Sequence, residues 1–222
     1  MHFIPEEGLV LLIDKDYQWT SFDVIRKLRK ILKIKKIGHA GTLDPLATGL
    51  LIVCCGKKTK EIQQFMALEK EYTGTMVLGK TTPSVDLETA FDSETDSSHL
   101  VPEDILNIIP QFTGMLQQVP PIYSAIKIAG SPVYKKARKG IEVEIEPRSV
   151  EAKVFEITEI DLPDIHFRLV CSKGFYVRSL VRDLGKALGV GAYLKTLVRT
   201  RIGEFRLEDA KTIDQLSSEI IV

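Results

Sequence analysis

The sequence predicts a mixed α+β fold, with a largely antiparallel central sheet flanked by helices. Three observations carry that expectation. Short strand-like runs recur along the 222 residues, two amphipathic helical patterns interrupt them, and the strands are joined mostly by hairpins and loops rather than regular βαβ crossovers. No internal repeat or long polar linker divides the chain, so residues 1–222 read as a single domain.

Residues 8–13 (GLVLLI) form a short apolar β-like run. A helix follows from Ser21, read as its N-cap, with apolar positions Phe22, Val24/Ile25, Leu28 and Ile31/Leu32 at helical spacing and a basic opposite face. Residues 50–55 are apolar without alternation, as a strand buried on both faces is; 58–66 read as a helix and 71–78 as an alternating strand. The Thr-, Ser- and Asp-rich stretch 81–99 reads as a surface loop. Pro102 suits the first turn of a short helix over 102–109. Residues 122–128 are strand-like and 133–138 helical. Two alternating strands, 149–160 and 165–171, flank Asp161-Leu162-Pro163-Asp164 and so predict a β-hairpin. Residues 176–188 repeat apolar side chains at Val177, Leu180/Val181, Leu184 and Ala187/Leu188, giving an amphipathic helix that ends near Gly189. A last strand over 200–206 and a tail helix over 213–217 complete the reading.

Composition excludes several classes. With 44% hydrophobic and 27% charged residues the chain is ordinary globular protein, neither collagenous nor disordered. Its longest apolar runs fall far short of the roughly 20 residues that cross a bilayer. The N-terminal segment lacks a basic region followed by an apolar one, so a cytoplasmic protein without a membrane partner is expected. Cys54, Cys55 and Cys171 match neither a disulfide framework nor zinc spacing and read as buried reduced thiols.

The formal net charge is zero, yet the charges are segregated. Of 30 lysines and arginines, 23 lie in four windows, 26–36, 57–60, 127–139 and 173–206, which hold only two acids, Asp183 and Glu204. Residues 81–126 contain no Lys or Arg and seven acids. Two readings stand: a phosphate-binding face assembled from the windows, or ordinary solvated helix faces.

The densest unusual segment is Gly38-His39-Ala40-Gly41-Thr42-Leu43-Asp44-Pro45-Leu46-Ala47-Thr48-Gly49, with three glycines, a proline, a histidine and one carboxylate. Such a loop has a tightly specified backbone and can hold one side chain rigidly, although Asp before Pro is also common in plain turns. A Walker loop on Gly56-Lys57 fails twice, at Leu51 and Lys58, and no dinucleotide, nucleophile-elbow or zinc motif occurs. The four histidines are scattered. No cofactor and no metal are expected.

Segment 38–49 closely resembles the catalytic motif of the TruB-type tRNA pseudouridine-55 synthases. Three further stretches agree in order. Lys70-Glu71-Tyr72 resembles the family's K-x-Y strand, and Pro120-Pro121-Ile122-Tyr123-Ser124-Ala125-Ile126-Lys127 through Gly140 resembles its RNA-gripping insertion, about 120–150. Cys171-Ser172-Lys173-Gly174-Phe175-Tyr176-Val177-Arg178-Ser179 through Gly185, then Leu197, Arg199-Thr200 and Gly203, resembles its second active-site segment.

The resemblance implies a pseudouridine synthase fold and the isomerisation of uridine to pseudouridine in the T-loop of tRNA, by base flipping and an aspartate-dependent mechanism. Asp44 would be the catalytic carboxylate, as nucleophile or as base at the sugar. Arg178 would pair with it and keep it ionised. Tyr72 would stack on the base and offer its hydroxyl to the C5 proton. His39 would fill the gap the flipped base leaves, Tyr176 and Leu197 would line the pocket, and Lys127 with the insertion would grip the RNA. Against these stand plainer readings: Tyr72 and Tyr176 as core aromatics, Arg178 as an exposed helix charge. The implied partner is the tRNA T-arm, bound by a monomer that requires no protein partner.

Two departures qualify the match. The family's usual K-P-x-G before T-S is here Lys15-Asp16-Tyr17-Gln18-Trp19-Thr20-Ser21. A C-terminal RNA-binding (PUA-like) module, carried by many members, is not expected here. A non-catalytic RNA-binding factor is the main alternative, and a glycosidase would want a second carboxylate.

Overall fold

A computed structural model describes residues 7–124, 127–128, 131–132 and 145–221. In chain order its strands and α-helices are β1 (Leu9–Lys15), α1 (Ser21–Leu32), β2 (Ile37–His39), β3 (Thr48–Cys55), α2 (Ile62–Ala67), β4 (Lys70–Leu78), β5 (Lys80–Thr81), β6 (Ser93–Glu94), α3 (Pro102–Ile108), β7 (Gly114–Gln118), β8 (Lys127–Ile128) and β9 (Ser131–Pro132). They continue with β10 (Arg148–Asp161), β11 (Asp164–Cys171), α4 (Val177–Ala187), β12 (Ala192–Ile202), β13 (Phe205–Arg206) and α5 (Ile213–Ile221). The fold is α+β with a largely antiparallel sheet, as the sequence predicts. Residues 1–73 with 197–222 make one compact unit and residues 74–196 a second. Among the described residues no helix is long and apolar enough to cross a membrane.

In the first unit β3 is the central strand. It pairs antiparallel with β1 from Leu9↔Cys55 to Lys15↔Gly49, antiparallel with β2, and parallel with β12 at Thr48↔Val198 and Gly49↔Arg199. Period-two alternation sends Leu51, Val53 and Cys55 to one face, where they pack with Ile13, Val24, Ile25, Leu28 and Leu32. Leu50, Ile52 and Cys54 go to the other face, against Ala40, Ile202 and Phe65. Both faces are covered, which is why residues 50–55 read as an unbroken apolar run. Val24 and Leu28 are fully buried, each contributing about 1.5–3 kcal/mol of hydrophobic stabilisation.

Helix α1 begins one residue earlier in its capping than the sequence reading has it. Thr20, not Ser21, is the N-cap: its hydroxyl accepts from Asp23 N at 3.0 Å, and Asp23 Oδ2 accepts from Thr20 N at 3.0 Å. Ser21 is buried and serves the site below. The expected helix over 58–66 is a 3₁₀ segment, Gly56–Glu61, followed by the short α2.

In the second unit β10 and β11 form the predicted hairpin, closing at Asp161↔Asp164, and β7 adds antiparallel along β10 from Arg148↔Gln118 to Ala152↔Gly114. The rings of Phe155 and Phe167 meet edge-on at 6.0 Å. Helix α4 buries Val177, Arg178, Leu180, Val181 and Leu184.

The segment 81–99 is not simply a surface loop. Lys80–Thr81 pairs with Ser93–Glu94 as a two-stranded ribbon, and Thr82, Ser84, Val85 and Asp86 are buried. Its hydroxyls make burial tolerable: Thr82 Oγ1 and Ser84 Oγ donate to Asp86 O at 2.6 and 3.1 Å, and Thr89 Oγ1 accepts from Ser84 N. The expected strand over 122–128 is a bend at 122–124, with only Lys127–Ile128 in β8 among its described residues. The helix expected over 133–138 lies outside the described residues. The strand expected over 200–206 is split between the end of β12, which begins at Ala192 and stops at Ile202, and β13, Phe205–Arg206. All three cysteines are buried with no disulfide joining them, and burial pushes the thiols of Cys54 and Cys55 up to about 11.

Candidate active site

Asp44 lies in the loop that joins β2 to β3, a stretch with few backbone hydrogen bonds of its own. Ala40 N donates to Ile52 O at 2.9 Å and Ala47 N to Asp44 O at 3.1 Å. Buried side chains from flanking elements supply the rest. Ser21 Oγ accepts from Leu43 N at 2.9 Å and donates to Leu43 O at 3.2 Å, clamping the residue before Asp44. Lys15, fully buried at the end of β1, donates to the carbonyls of Pro45 (3.3 Å), Asp16 (3.0 Å) and Trp19 (2.6 Å). Arg199 of β12, 1% exposed, donates to Leu50 O at 2.7 Å and Gly41 O at 3.2 Å.

Glycine is required where the loop enters β3. Gly49 has φ +97°, and a Cβ there would sit 2.5 Å from Arg199 O and 2.9 Å from Arg199 N. The backbones of β3 and β12 therefore approach too closely for any other residue.

The Asp44 carboxylate is half-buried. Burial pushes the Lys15 ammonium down to about 8, opposed by attraction to Asp44 and Asp16. Burial, with Arg199 adding to it, lowers the His39 imidazole below its ordinary value, so His39 is neutral at physiological pH. Its Nδ1 is buried with no hydrogen-bond partner among the described residues. Tyr72 is buried in β4. Its neighbour Glu71 points to the opposite face, where it accepts from Thr200 Oγ1 (3.4 Å) and Arg201 Nε (3.3 Å). Lys70 donates to the carbonyls of Met66 and Leu68. Leu197 is buried in β12.

Tyr176 and Arg178 belong to the second unit. Arg178 is no exposed helix charge. Its side chain is 4% exposed, donates to Ser84 O at 2.9 Å and Tyr123 O at 2.8 Å, and lies 3.7 Å from the equally buried Asp86 carboxylate. Tyr176 precedes α4, and Gln118 fixes its backbone: Gln118 Oε1 accepts from Tyr176 N at 3.0 Å, and Gln118 Nε2 donates to Tyr176 O at 3.2 Å. Lys127 has its backbone in β8, and its side chain lies outside the described residues. Thus Asp44, His39, Tyr72 and Leu197 share one unit, while Tyr176 and Arg178 share the other.

Sequence reasoning missed Lys15, Asp86 and Gln118 as supporting residues, and it placed Arg199 in the second active-site segment without its carbonyl partners. Two carried a signal: Lys15 ends an apolar strand and Arg199 interrupts one, and a cation on a buried strand needs carbonyl or carboxylate partners. The basic window 173–206 is a free phosphate face only in part, with Lys173, Lys186 and Arg206 exposed. Arg178 and Arg199 are buried, while Arg182 pairs with Asp183, Lys195 with Asp164, and Arg201 with Glu69 and Glu71. By contrast, all seven basic residues of 26–36 are exposed.

A carboxylate on a pinned loop, a neutral imidazole and a buried phenol suit nucleophilic or acid–base chemistry on an uncharged group. Comparison with known proteins supplies the class. Residues 29–177 match the model of the TruB family pseudouridylate synthase N-terminal domain, and residues 178–222 that of the tRNA pseudouridylate synthase B C-terminal domain. The chain belongs to the TruB family of pseudouridylate synthases. It is 50% identical to the tRNA pseudouridine synthase B of Flavobacterium johnsoniae, over 92% of either chain. With that of Phocaeicola vulgatus it shares 46%, over 94% of this chain and 92% of the relative. Among solved structures, one chain of a Cbf5–Nop10–Gar1 complex superposes with a TM-score of 0.74 at 30% identity, covering 96% of this chain. An archaeal box H/ACA Nop10–Cbf5 complex gives 0.72 at 28%, covering 97% of this chain. The chain spans about half the length of either solved chain, 54% in both.

Proposed function

We propose that the protein converts uridine 55 in the T-loop of tRNA to pseudouridine. The N1–C1′ bond breaks, the base turns, and a C5–C1′ bond forms while the C5 proton is lost and N1 regains one. The product is an isomer, so the reaction consumes no oxidant, nucleotide or metal-bound water. The observation that carries the reading is the loop around Asp44. Three buried side chains, Lys15, Ser21 and Arg199, hold its backbone, so its single carboxylate is presented in a fixed place to a nucleoside brought to it.

Asp44 acts at the sugar, as nucleophile or base. Tyr72 stacks on the base and its hydroxyl takes the C5 proton. Arg178 is the cation that keeps Asp44 ionised. His39, neutral at physiological pH, enters the RNA where the base has left; burying an imidazolium there would cost more. Tyr176 and Leu197 line the base pocket, and Lys127 holds the RNA backbone. The enzyme works in the cytoplasm on tRNA, as a monomer of one catalytic domain that requires no protein partner and no cofactor.

The test is pseudouridine mapping on T-arm RNA with the wild type and with Asp44→Asn. Asn is nearly isosteric but neither nucleophile nor base, so product should vanish while RNA affinity stays within about tenfold. Turnover near wild type in the variant would remove Asp44 from the chemistry. Tight RNA binding without product in the wild type would favour the RNA-binding factor instead.

A further inference from the structure

The first turns of α1 carry a feature the reaction does not use. Gln18, Trp19, Asp23, Arg26, Lys27 and Lys30 line a cavity of about 460 Å³. Positions 23, 26, 27 and 30 fall at i, i+3, i+4 and i+7, which places all four on one stripe of the helix. The opposite stripe, Val24, Ile25, Leu28 and Leu32, is buried in the core. Asp23 is already committed, accepting from Thr20 N and Thr20 Oγ1 and pairing with Arg26. Lys27 and Lys30 are exposed and leave the groove with a surplus of positive charge. Asp16, exposed on the preceding turn, is the other nearby acid in sequence.

Trp19 gives the groove an aromatic wall that is held in place. Its side chain packs partly against the core of α1 and β3, and its carbonyl accepts from the buried Lys15 ammonium at 2.6 Å. Gln18, beside it, has φ +65°, a left-handed conformation uncommon outside glycine and asparagine. The turn is thus fixed in a form that exposes Gln18 and half-exposes Trp19. A rigid aromatic next to cations with no ion-pair partner among the described residues is the combination that holds nucleic acid strands, base or ribose on the ring and phosphate on the ammonium groups. The groove is also tied to the site: Ser21, the first residue of α1, clamps Leu43 beside Asp44.

We propose that this groove is a second RNA subsite, in which a nucleotide of the substrate stacks on Trp19 while its flanking phosphates lie on Lys27 and Lys30. The proposal rests on the reading of tRNA as substrate and adds where a further part of that RNA is held. It also gives a use to residues 16–19, where the chain departs from the family's usual K-P-x-G.

Trp19 is the single tryptophan of the chain, so its fluorescence reports on the groove alone. Titration of the full-length protein with T-arm RNA at low salt should change the Trp19 emission with the same midpoint as an independent filter-binding isotherm. Lys27→Ala with Lys30→Ala should weaken binding roughly tenfold near 0.1 M salt and lower the log–log salt slope by about 1.5, since each phosphate contact contributes about 0.7–0.9. Trp19→Phe, which keeps an aromatic wall, should bind more tightly than Trp19→Leu, with melting temperatures confirming that both fold. Emission unchanged through complete RNA binding, or a double lysine variant with wild-type affinity and slope, would overturn the subsite. If pseudouridine still forms in that case, the function stands and only the groove assignment falls. Absence of both RNA binding and pseudouridine in the wild type would overturn the tRNA reading itself, and the subsite with it.

Discussion

Ser21 and Thr20 are adjacent hydroxyl residues with different work, and exchanging each for alanine separates loop positioning from helix stability. Ser21→Ala removes the acceptor of Leu43 N at 2.9 Å and the donor to Leu43 O at 3.2 Å. Both residues are buried, at 2% and 3% exposure, so water does not readily replace the lost partners. An orphaned buried N–H costs about 1–3 kcal/mol, and about 2 kcal/mol is a central figure for this clamp. With an unfolding entropy near 2.1 cal/mol/K per residue, a chain of this length loses about 0.5 kcal/mol per degree, so Tm should fall by about 4 °C. Leu43 adjoins Asp44, and a shift of about 1 Å in a reacting group can cost on the order of 100-fold in rate. Thr20→Ala, by contrast, loses an N-cap worth about 1 kcal/mol, or about 2 °C, and touches nothing in the loop. Single-turnover pseudouridine formation at saturating RNA, beside thermal melts of both variants, is the assay. Equal single-turnover rates in the two variants would refute the claim that Ser21 positions the loop.

Three further outcomes are expected. Tyr72→Phe keeps the ring and removes the hydroxyl, so turnover should fall roughly 10²–10⁴-fold with RNA affinity little changed; a fully active variant would leave stacking as its role. Gly49→Ala should destabilise by about 2–4 kcal/mol, because φ +97° and the 2.5 Å approach to Arg199 O both forbid a Cβ; a denaturant midpoint equal to wild type would contradict the strand geometry. Stability should rise between about pH 8 and 9. Lys15 sits near 8 when folded against an ordinary 10.5, so between those values the unfolded chain keeps a proton the folded chain has released, and raising the pH favours the folded state. Above about 9 the thiols of Cys54 and Cys55, raised to about 11, act in the opposite direction, and urea midpoints flat from pH 7.5 to 9 would show that Lys15 is not buried as a cation.

The elements the sequence made legible are those whose environment is uniform along their length. The stripes of α1 and α4, the two-sided burial of β3 and the alternation of β10 and β11 each leave a clean period. β12 left none before residue 200, because it changes neighbours along its length and carries Arg199 on a buried face. The polar stretch 81–99 misled for a related reason: Thr82, Ser84 and Asp86 look solvent-loving one by one, yet they satisfy one another and Arg178 in the interior. For the site, the loop 38–49 and Asp44 were legible through their glycines and through the family resemblance. Their supports were not. Whether a lysine faces water or a carbonyl depends on what the fold brings to it, and no local pattern encodes that.

Those hidden supports have a common logic. The loop at 40–47 must bring Asp44 close to a polyanion, so it cannot be extended away from the body of the unit and cannot be a helix or strand that fixes its own hydrogen bonds. Its buried carbonyls therefore need donors from elsewhere, and each donor must reach across a layer of core. Lys15 and Arg199 are long enough to do so, and their bonds to Pro45, Gly41 and Leu50 are charge-assisted, stronger than those a neutral amide would make. The same choice sets the Lys15 ammonium in attraction with the Asp44 carboxylate, offsetting part of the repulsion that phosphates impose on it. Replacing either cation by an apolar residue would improve packing on paper and leave the loop's carbonyls without their donor.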